Sequence, residues 1–377
     1  MRIAMVSPLA MRVPPVAYGG TELIVSLLTE ELVRRGHEVT LFASGDSVTS
    51  ARLVSVCPHY LNSSGRNASI LDMLNMVTCL EQADRFDIIH AHTCFEGMAL
   101  AGLVKTPMLT TIHINLDGDW FELFRHYKGW YNTISRSAKS LLPDKERFVG
   151  VIYNAIDVKS YPFNGAPRKP HLLFLSRISY QKGPHLAIQV ARRLGRRLII
   201  AGNVHPHDEE YFRTMVMPEV DGDLIQYVGE ADYHRKRELL SQAYCLVAPI
   251  TWEEPFGLFF IEAMACGTPV VVFNRGSAPE VVKHGETGYV VDTLEEMAAA
   301  VDEVYRIDRR RCREYVEENF DAPRMADDYL RAYERILSEQ GELMDIGAAA
   351  SAERLLENTV RFTLDSEASD KVTTARN

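Results

Sequence analysis

TWEEPFGLFFIEAMACGTPVVV, residues Thr251–Val272, is the stretch on which the reading of this chain turns. It reads as a short loop, a helix and a new strand. Glu254 and Glu262 stand eight positions apart. On an α-helix that is a little over two turns, so both carboxylates are expected on one face. Gly257 lets a ligand come close to the backbone at the helix start, where unpaired N–H groups and the helix dipole favour an anion. Pro255 suits the position just before the first turn. A site that binds phosphate and accepts sugar hydroxyls on carboxylates needs about this equipment. A half-buried helix with two satisfied glutamates would carry the same pattern, so the rest of the chain has to decide.

At 377 residues the chain suits two domains of ordinary size. A hydrophobic content of 46% and a charged content of 24% are those of a soluble globular protein. A formal charge of −10 and a pI near 5.7 argue against nucleic acid as a partner, which calls for a basic field. They argue more weakly against anionic lipid, and peripheral membrane contact stays open. Met1-Arg2 runs straight into the strand-like IAMVS with no signal-peptide pattern. No apolar run approaches the roughly 20 residues of a membrane span. Six cysteines without paired spacing suggest neither a disulfide framework nor a zinc site. The expectation is a cytoplasmic protein.

The first half alternates short β-rich runs with helical patterns, the mark of a parallel sheet with helices on both faces. Strands are expected at 2–7, 37–44, 87–93, 107–113, 131–135 and 148–154. A helix over 21–35 has Thr21 as its expected N-cap and Gly36 as its C-terminal cap. The loop before it, PLAMRVPPVAYGG, is long for its place, and Gly19 and Gly20 would let backbone approach a phosphate. It is not a GxGxxG fingerprint, and a plain turn fits it as well. His113 ends a strand, where open α/β sheets hold ligands. His90 and His92 are placed similarly. Asp117-Gly118-Asp119 could hold a metal but is also ordinary turn chemistry.

Residues 155–170 carry three prolines and a glycine without apolar periodicity, and form the expected domain boundary. The alternation then restarts, with strands at 171–178, 197–204, 224–230, 244–250, 269–273 and 288–292. Helices are expected at 183–194, near 208–217, at 232–243, in the opening stretch, at 293–307, 309–319 and 323–339. The organisation is therefore α/β, with a doubly wound domain over 1–155 and a second over 170–322. A C-terminal helix over 323–340 and a polar tail over 345–377 follow. In SRISYQKG, Arg177 and Lys182 flank one loop at a strand's carboxyl end, where two cations would neutralise a diphosphate. They could equally be solvated loop charges.

At this point the chain resembles family 4 of the retaining glycosyltransferases, enzymes of the GT-B fold, over about residues 1–340. EPFGLFFIEAMACGTPVVVFNRGSAPEVV is similar to that family's E-x7-E region. FLSRISYQKG resembles its arginine–lysine loop, AYGGTE its glycine loop and YNAID the entry to its second domain. The resemblance implies two Rossmann-like domains facing a central cleft, with helix 323–340 crossing back to the first. A nucleotide-diphosphate sugar, UDP-glucose by preference, would lie in the cleft, with no bound cofactor and no metal. Glu262 would bind the ribose. Glu254 and the backbone at Phe256, Gly257 and Leu258 would hold sugar and phosphate. Arg177 and Lys182 would take the diphosphate, with Gly19 and Gly20 reaching it from the other domain. His113 would touch the sugar.

The implied reaction is glycosyl transfer to a hydroxyl with retention, by front-face attack in which the leaving phosphate takes the acceptor's proton. The acidic balance favours a soluble sugar or sugar-phosphate acceptor. A sucrose-phosphate-synthase-like transfer to fructose 6-phosphate, transfer to an envelope polysaccharide or lipid precursor, and 2-epimerisation of a nucleotide sugar are alternatives. A sensing module without turnover is the non-enzymatic one. The acceptor side would be lined by the loop 8–17 and by 115–130. There Trp120, Phe121, Phe124, Tyr127 and Trp130 either stack on a sugar or fill the core. Arg12, Lys128 and Arg136 could meet an acceptor phosphate or be surface charges.

Overall fold

The computed structural model describes residues 1–17, 19–61, 67–163 and 169–341. Tyr18, part of the expected boundary (164–168) and the whole tail 345–377 lie outside the described residues.

The two alternating halves become two parallel sheets. The first contains β1 (Arg2–Val6), β2 (Glu38–Phe42), β3 (Arg52–Val54), β4 (Ile88–Ala91), β5 (Met108–Ile112), β6 (Trp130–Thr133) and β7 (Phe148–Val151), in the order β3-β2-β1-β4-β5-β6-β7. The second contains β8 (Leu172–Leu175), β9 (Leu198–Ala201), β10 (Ile225–Tyr227), β11 (Cys245–Ala248), β12 (Val270–Phe273) and β13 (Gly288–Val291), in the order β10-β9-β8-β11-β12-β13. Every neighbouring pair runs parallel. Strands such as β11 and β12 are buried on both faces, which is why they read as unbroken apolar runs rather than alternating ones.

Helices cover these sheets. In the first lobe they are α1 (Gly20–Arg34), α2 (Ala68–Leu80), α3 (Cys94–Leu100), α4 (Gly118–His126) and α5 (Arg136–Ser140). In the second they are α6 (Pro184–Leu194), α7 (Glu209–Tyr211), α8 (Tyr233–Gln242), α9 (Leu258–Ala265), α10 (Ala278–Val281), α11 (Leu294–Glu303) and α12 (Arg309–Asn319). A further helix starts at 322. Each sheet order reverses once, between β1 and β4 and between β8 and β11. Loops leaving adjacent strands there diverge and open a crevice at the strands' carboxyl ends.

Local chemistry explains the departures from expectation. Helix α1 starts one residue before Thr21, with Gly19 as its N-cap at φ 147°, a conformation open to glycine and not to threonine. Its end is as expected. Gly36 takes φ 86° and donates to Val33 O at 2.9 Å, while His37 donates to Leu32 O at 3.1 Å. Strand β3 was not expected, being three residues on a sheet edge with no alternation. The helix expected near 208–217 is instead α7, a π-helical stretch Phe212–Val216 and a 3₁₀ turn Met217–Glu219. Pro218, with no N–H to give the ladder, stands in that last turn.

The chain passes between lobes twice, and the two passages pair. Ile156 donates to Phe320 O and Ala322 to Ile156 O, both at 3.0 Å, and Val158 N donates to Asp321 Oδ1 at 3.2 Å. The first turns of the helix from 322 return to the first lobe. Arg35 there pairs with Asp327 and donates to Pro323 O, and Tyr329 is fully buried beside Thr111. Of the five aromatics in 115–130, Phe124, Tyr127 and Trp130 are core, while Trp120 and Phe121 are half-buried. None of the six cysteines is joined in a disulfide. Among the described residues no helix is long and apolar enough to cross a membrane.

Candidate functional site

The loops that flank the second sheet's reversal follow β8 and β11. After β8 the chain makes a 3₁₀ turn, Tyr180–Lys182, and then Gly183 in the left-handed region before Pro184 opens α6. Gly183 packs so tightly on the Pro249 carbonyl that a Cβ would stand 2.2 Å from its oxygen, which locks the two loops together. Lys182 Nζ donates to Glu254 Oε2, and Trp252 Nε1 donates to the same oxygen at 2.9 Å. The ammonium also lies 5.1 Å from the ring centre of Trp252 and 5.2 Å from that of Phe259. The result is a buried ion pair boxed by aromatic faces.

Glu254 is not on the helix. Because α9 begins only at Leu258, the two-turn argument that paired Glu254 with Glu262 on one helix face does not hold. Glu254 sits in the loop before it, and Gly257 at φ 79° turns the chain into the helix with Phe260 against its Cα. From behind, Gly276 presses on the backbone of Glu254, with room for no Cβ. Ser277 N donates to Glu254 O, Ser277 Oγ to Phe256 O and Gly276 N to Glu253 Oε2. Backbone packing therefore fixes this loop, and Phe256, Gly257 and Leu258 form a rigid helix entry.

Glu262 lies in α9, almost wholly buried. Its Oε1 accepts from Tyr161 O–H at 2.8 Å and from Lys236 Nζ. Neither partner was singled out in the sequence. Tyr161 falls in the boundary segment and Lys236 among the charges of α8, so only folding reveals them. Arg177 and Lys182 do not share a partner. The ion-pair partner of Arg177 is Asp208, with Nε 3.6 Å from Oδ2, beyond a hydrogen bond. Both of those atoms are buried without a hydrogen-bond partner among the described residues, and His207 Nε2 stands 3.3 Å from the same Asp208 oxygen.

Across the cleft, Gly20 begins α1, and a Cβ on it would stand 3.3 Å from Leu258 Cδ1. The glycine loop and the start of α9 thus face each other. Asn115 Nδ2 donates to Glu253 O. Arg136 N and Ser137 N donate to Glu280 at 2.8 and 2.6 Å, and Tyr153 O–H donates to it at 3.0 Å. Arg136 therefore engages through its backbone in an inter-lobe contact. Asp117 is the residue before α4 and Asp119 lies in its first turn.

His113 is not a lone histidine. His92 Nδ1 and its Nε2 are 2.9 Å apart, and the rings of His90 and His92 are 4.1 Å apart. Burial lowers the pKa of His113 to about 4 and those of His90 and His92 well below the usual value, so all three are neutral at pH 7. A neutral His113 can donate or accept a hydrogen bond but brings no charge. Near the glycine loop, burial raises Glu22 to about 7.

Residues 159–319 match the family described as glycosyl transferases group 1, and residues 18–160 match glycosyltransferase family 4. A glycogen synthase of Mycobacterium tuberculosis is 30% identical over 348 residues, covering 76% of this chain and 81% of that protein. Two solved structures share the fold. A sucrose-phosphate synthase of Thermosynechococcus elongatus has a TM-score of 0.76 at 19% identity, covering 90% of this chain and 99% of that one. The Anabaena protein HepE, in complex with UDP and glucose, has a TM-score of 0.70 at 17% identity, covering 89% and 100%. With two Rossmann-like lobes meeting at the crevices of both sheets, the chain is an α/β protein of GT-B architecture, and it belongs to the group 1/family 4 glycosyltransferases.

Proposed function

We propose that this glycosyltransferase moves a sugar, glucose by preference, from a UDP-sugar to a hydroxyl acceptor with retention at the anomeric carbon. The observation that carries the reading is the Lys182–Glu254 pair, fixed beside the N-terminus of α9 and opposite Gly20. A diphosphate between the glycine loop and α9 would meet helix N–H groups and the Lys182 ammonium. Developing charge on the leaving UDP is then stabilised by groups already in place. Arg177 would swing from its loose contact with Asp208 to join it. Glu262, held by Tyr161 and Lys236, would accept the ribose hydroxyls, and Glu254 would accept from the donor sugar.

Within a retaining reaction, the engagement of Glu254 supports front-face attack over double displacement through a covalent intermediate. A carboxylate already bonded to Lys182 and Trp252 suits a binding group better than a nucleophile. Front-face attack, with the leaving phosphate taking the acceptor's proton, needs no such nucleophile. The binding of UDP and glucose by HepE supports the choice of donor. For the acceptor, Arg12 in the 8–17 loop has a buried Nε with no hydrogen-bond partner among the described residues. It favours an anionic, phosphorylated sugar, in keeping with the fold shared with a sucrose-phosphate synthase.

The test is release of UDP from UDP-glucose with a panel of sugars and sugar phosphates, followed by NMR of the product's anomeric centre. Stimulation by a sugar phosphate with an α-linked product is expected. Stimulation by neutral sugars alone would overturn the acceptor, and a β-linked product would overturn retention.

A further inference from the structure

We infer that His92 is a positioning residue for His113, fixing both the plane of its ring and the nitrogen that carries its proton. The inference rests on the reading that His113 meets the donor sugar. His92 follows β4 and His113 follows β5, at adjacent carboxyl ends of the first sheet. Their bond joins His92 Nδ1 to His113 Nε2 at 2.9 Å, with ring centres 5.1 Å apart and planes 25° apart. Both rings are neutral, so one nitrogen donates and the other accepts.

The other nitrogen of His92 decides which. His92 is 3% exposed, and its Nε2 is buried without a partner among the described residues. A stranded N–H costs its full desolvation, whereas an under-used acceptor is the better tolerated of the two. His92 therefore keeps its proton on Nδ1 and donates it to His113 Nε2. That leaves the His113 proton on Nδ1, able to donate to an oxygen.

The ring of His92 is itself held from behind. His90 packs on it, and His90 Nε2 is 2.7 Å from Thr111 Oγ1. Thr111 gives its only hydroxyl proton to Asn132 Oδ1 at 2.7 Å, so it accepts from His90. Tyr329, from the helix that starts at 322, lies 3.2 Å from the same Thr111 oxygen, and its ring is 4.8 Å from that of His90. A fully buried polar network thus backs the pair, and such networks specify one geometry.

The experiment is a long-range ¹H–¹⁵N correlation spectrum of the histidine side chains in the full-length protein, with His113 assigned from the His113→Gln variant. We expect wild-type His113 to be protonated on Nδ1 and not on Nε2. In His92→Ala the proton should redistribute toward Nε2, and kcat should fall about tenfold with little change in donor KM. His92→Asn, whose amide N–H can replace Nδ1–H, should restore both the tautomer and most of kcat. A wild-type His113 protonated on Nε2 overturns the inference even if neither His92 variant folds. So does a His92→Ala protein with an unchanged His113 spectrum and kcat. Wild-type turnover in His113→Gln would overturn the sugar-contact reading instead, leaving the wild-type spectrum to decide the hold of His92 on its neighbour.

Discussion

Lys182 and Glu254 come from two different loops of the second sheet and form one buried ion pair, with side chains only 12% and 8% exposed. Neither charge has much water to fall back on. The lysine is therefore structural as well as catalytic in the proposed reaction. Lys182→Ala should lower turnover by about 10²–10³-fold. It should also cost a few kcal/mol of stability, because it strands a buried carboxylate. The double variant Lys182→Met/Glu254→Gln should regain stability without regaining turnover. Urea unfolding beside UDP release checks this; recovery of both properties would sink the assignment.

Glu262 is held by one hydroxyl and one ammonium, so its carboxylate is oriented before any ligand arrives. Glu262→Gln should weaken UDP binding by about 10- to 100-fold, the range for a charge-assisted hydrogen bond. Lys236→Met should have a smaller effect of the same sign. Calorimetry with UDP measures both, and an unchanged affinity in Glu262→Gln would remove this residue from the donor site.

Glu280 caps the backbone of Arg136 and Ser137 from the opposite lobe. Losing those charge-assisted bonds should favour open conformations. Glu280→Ala is expected to increase the radius of gyration in small-angle scattering without UDP and to raise the donor KM severalfold, with UDP reversing the expansion. Identical scattering curves for variant and wild type would show that the contact does not hold the lobes together.

Glu22 is raised by burial from 4.5 to about 7. The folded protein thus holds a proton that the unfolded chain has released across that window. Stability contributed by this group is fully present below pH 4.5 and is lost as pH rises through about 7. Glu22→Gln should match wild type near pH 4 and exceed it at pH 8 by up to about 3 kcal/mol. Denaturation midpoints of the two proteins across that range give the difference curve; a constant offset would contradict the buried-acid account.

Much of this was legible before folding, for specific reasons. The central strands of both sheets are buried on two faces and announce themselves as apolar runs, as PVVVF and RLIIAG do, whereas the edge strand β3 does not. Gly36 marks the end of α1 because only a left-handed residue closes that turn. Glu254 and Glu262 stood out as residues, but placing both on one helix face set aside what Pro255 and Gly257 already signalled, that the helix begins after Glu254. The partners of Glu262 were hidden for another reason. Tyr161 and Lys236 lie 101 and 26 positions from it, and such separations leave no local pattern. The link from His92 to His113 was equally silent, because it depends on which strands become neighbours.

The return of the chain to the first lobe has a consequence for folding. Asp327 meets Arg35 across 292 positions and Tyr329 meets Thr111 across 218. The first lobe is therefore a discontinuous unit whose closing residues are synthesised only after the whole second lobe. During synthesis His90, Thr111 and Asn132 must wait, without Tyr329, until the second lobe has been made. Contacts of such separation are slow to form, and a nascent chain stalled near residue 320 would leave Thr111, Asn132 and His90 without the Tyr329 that later covers them.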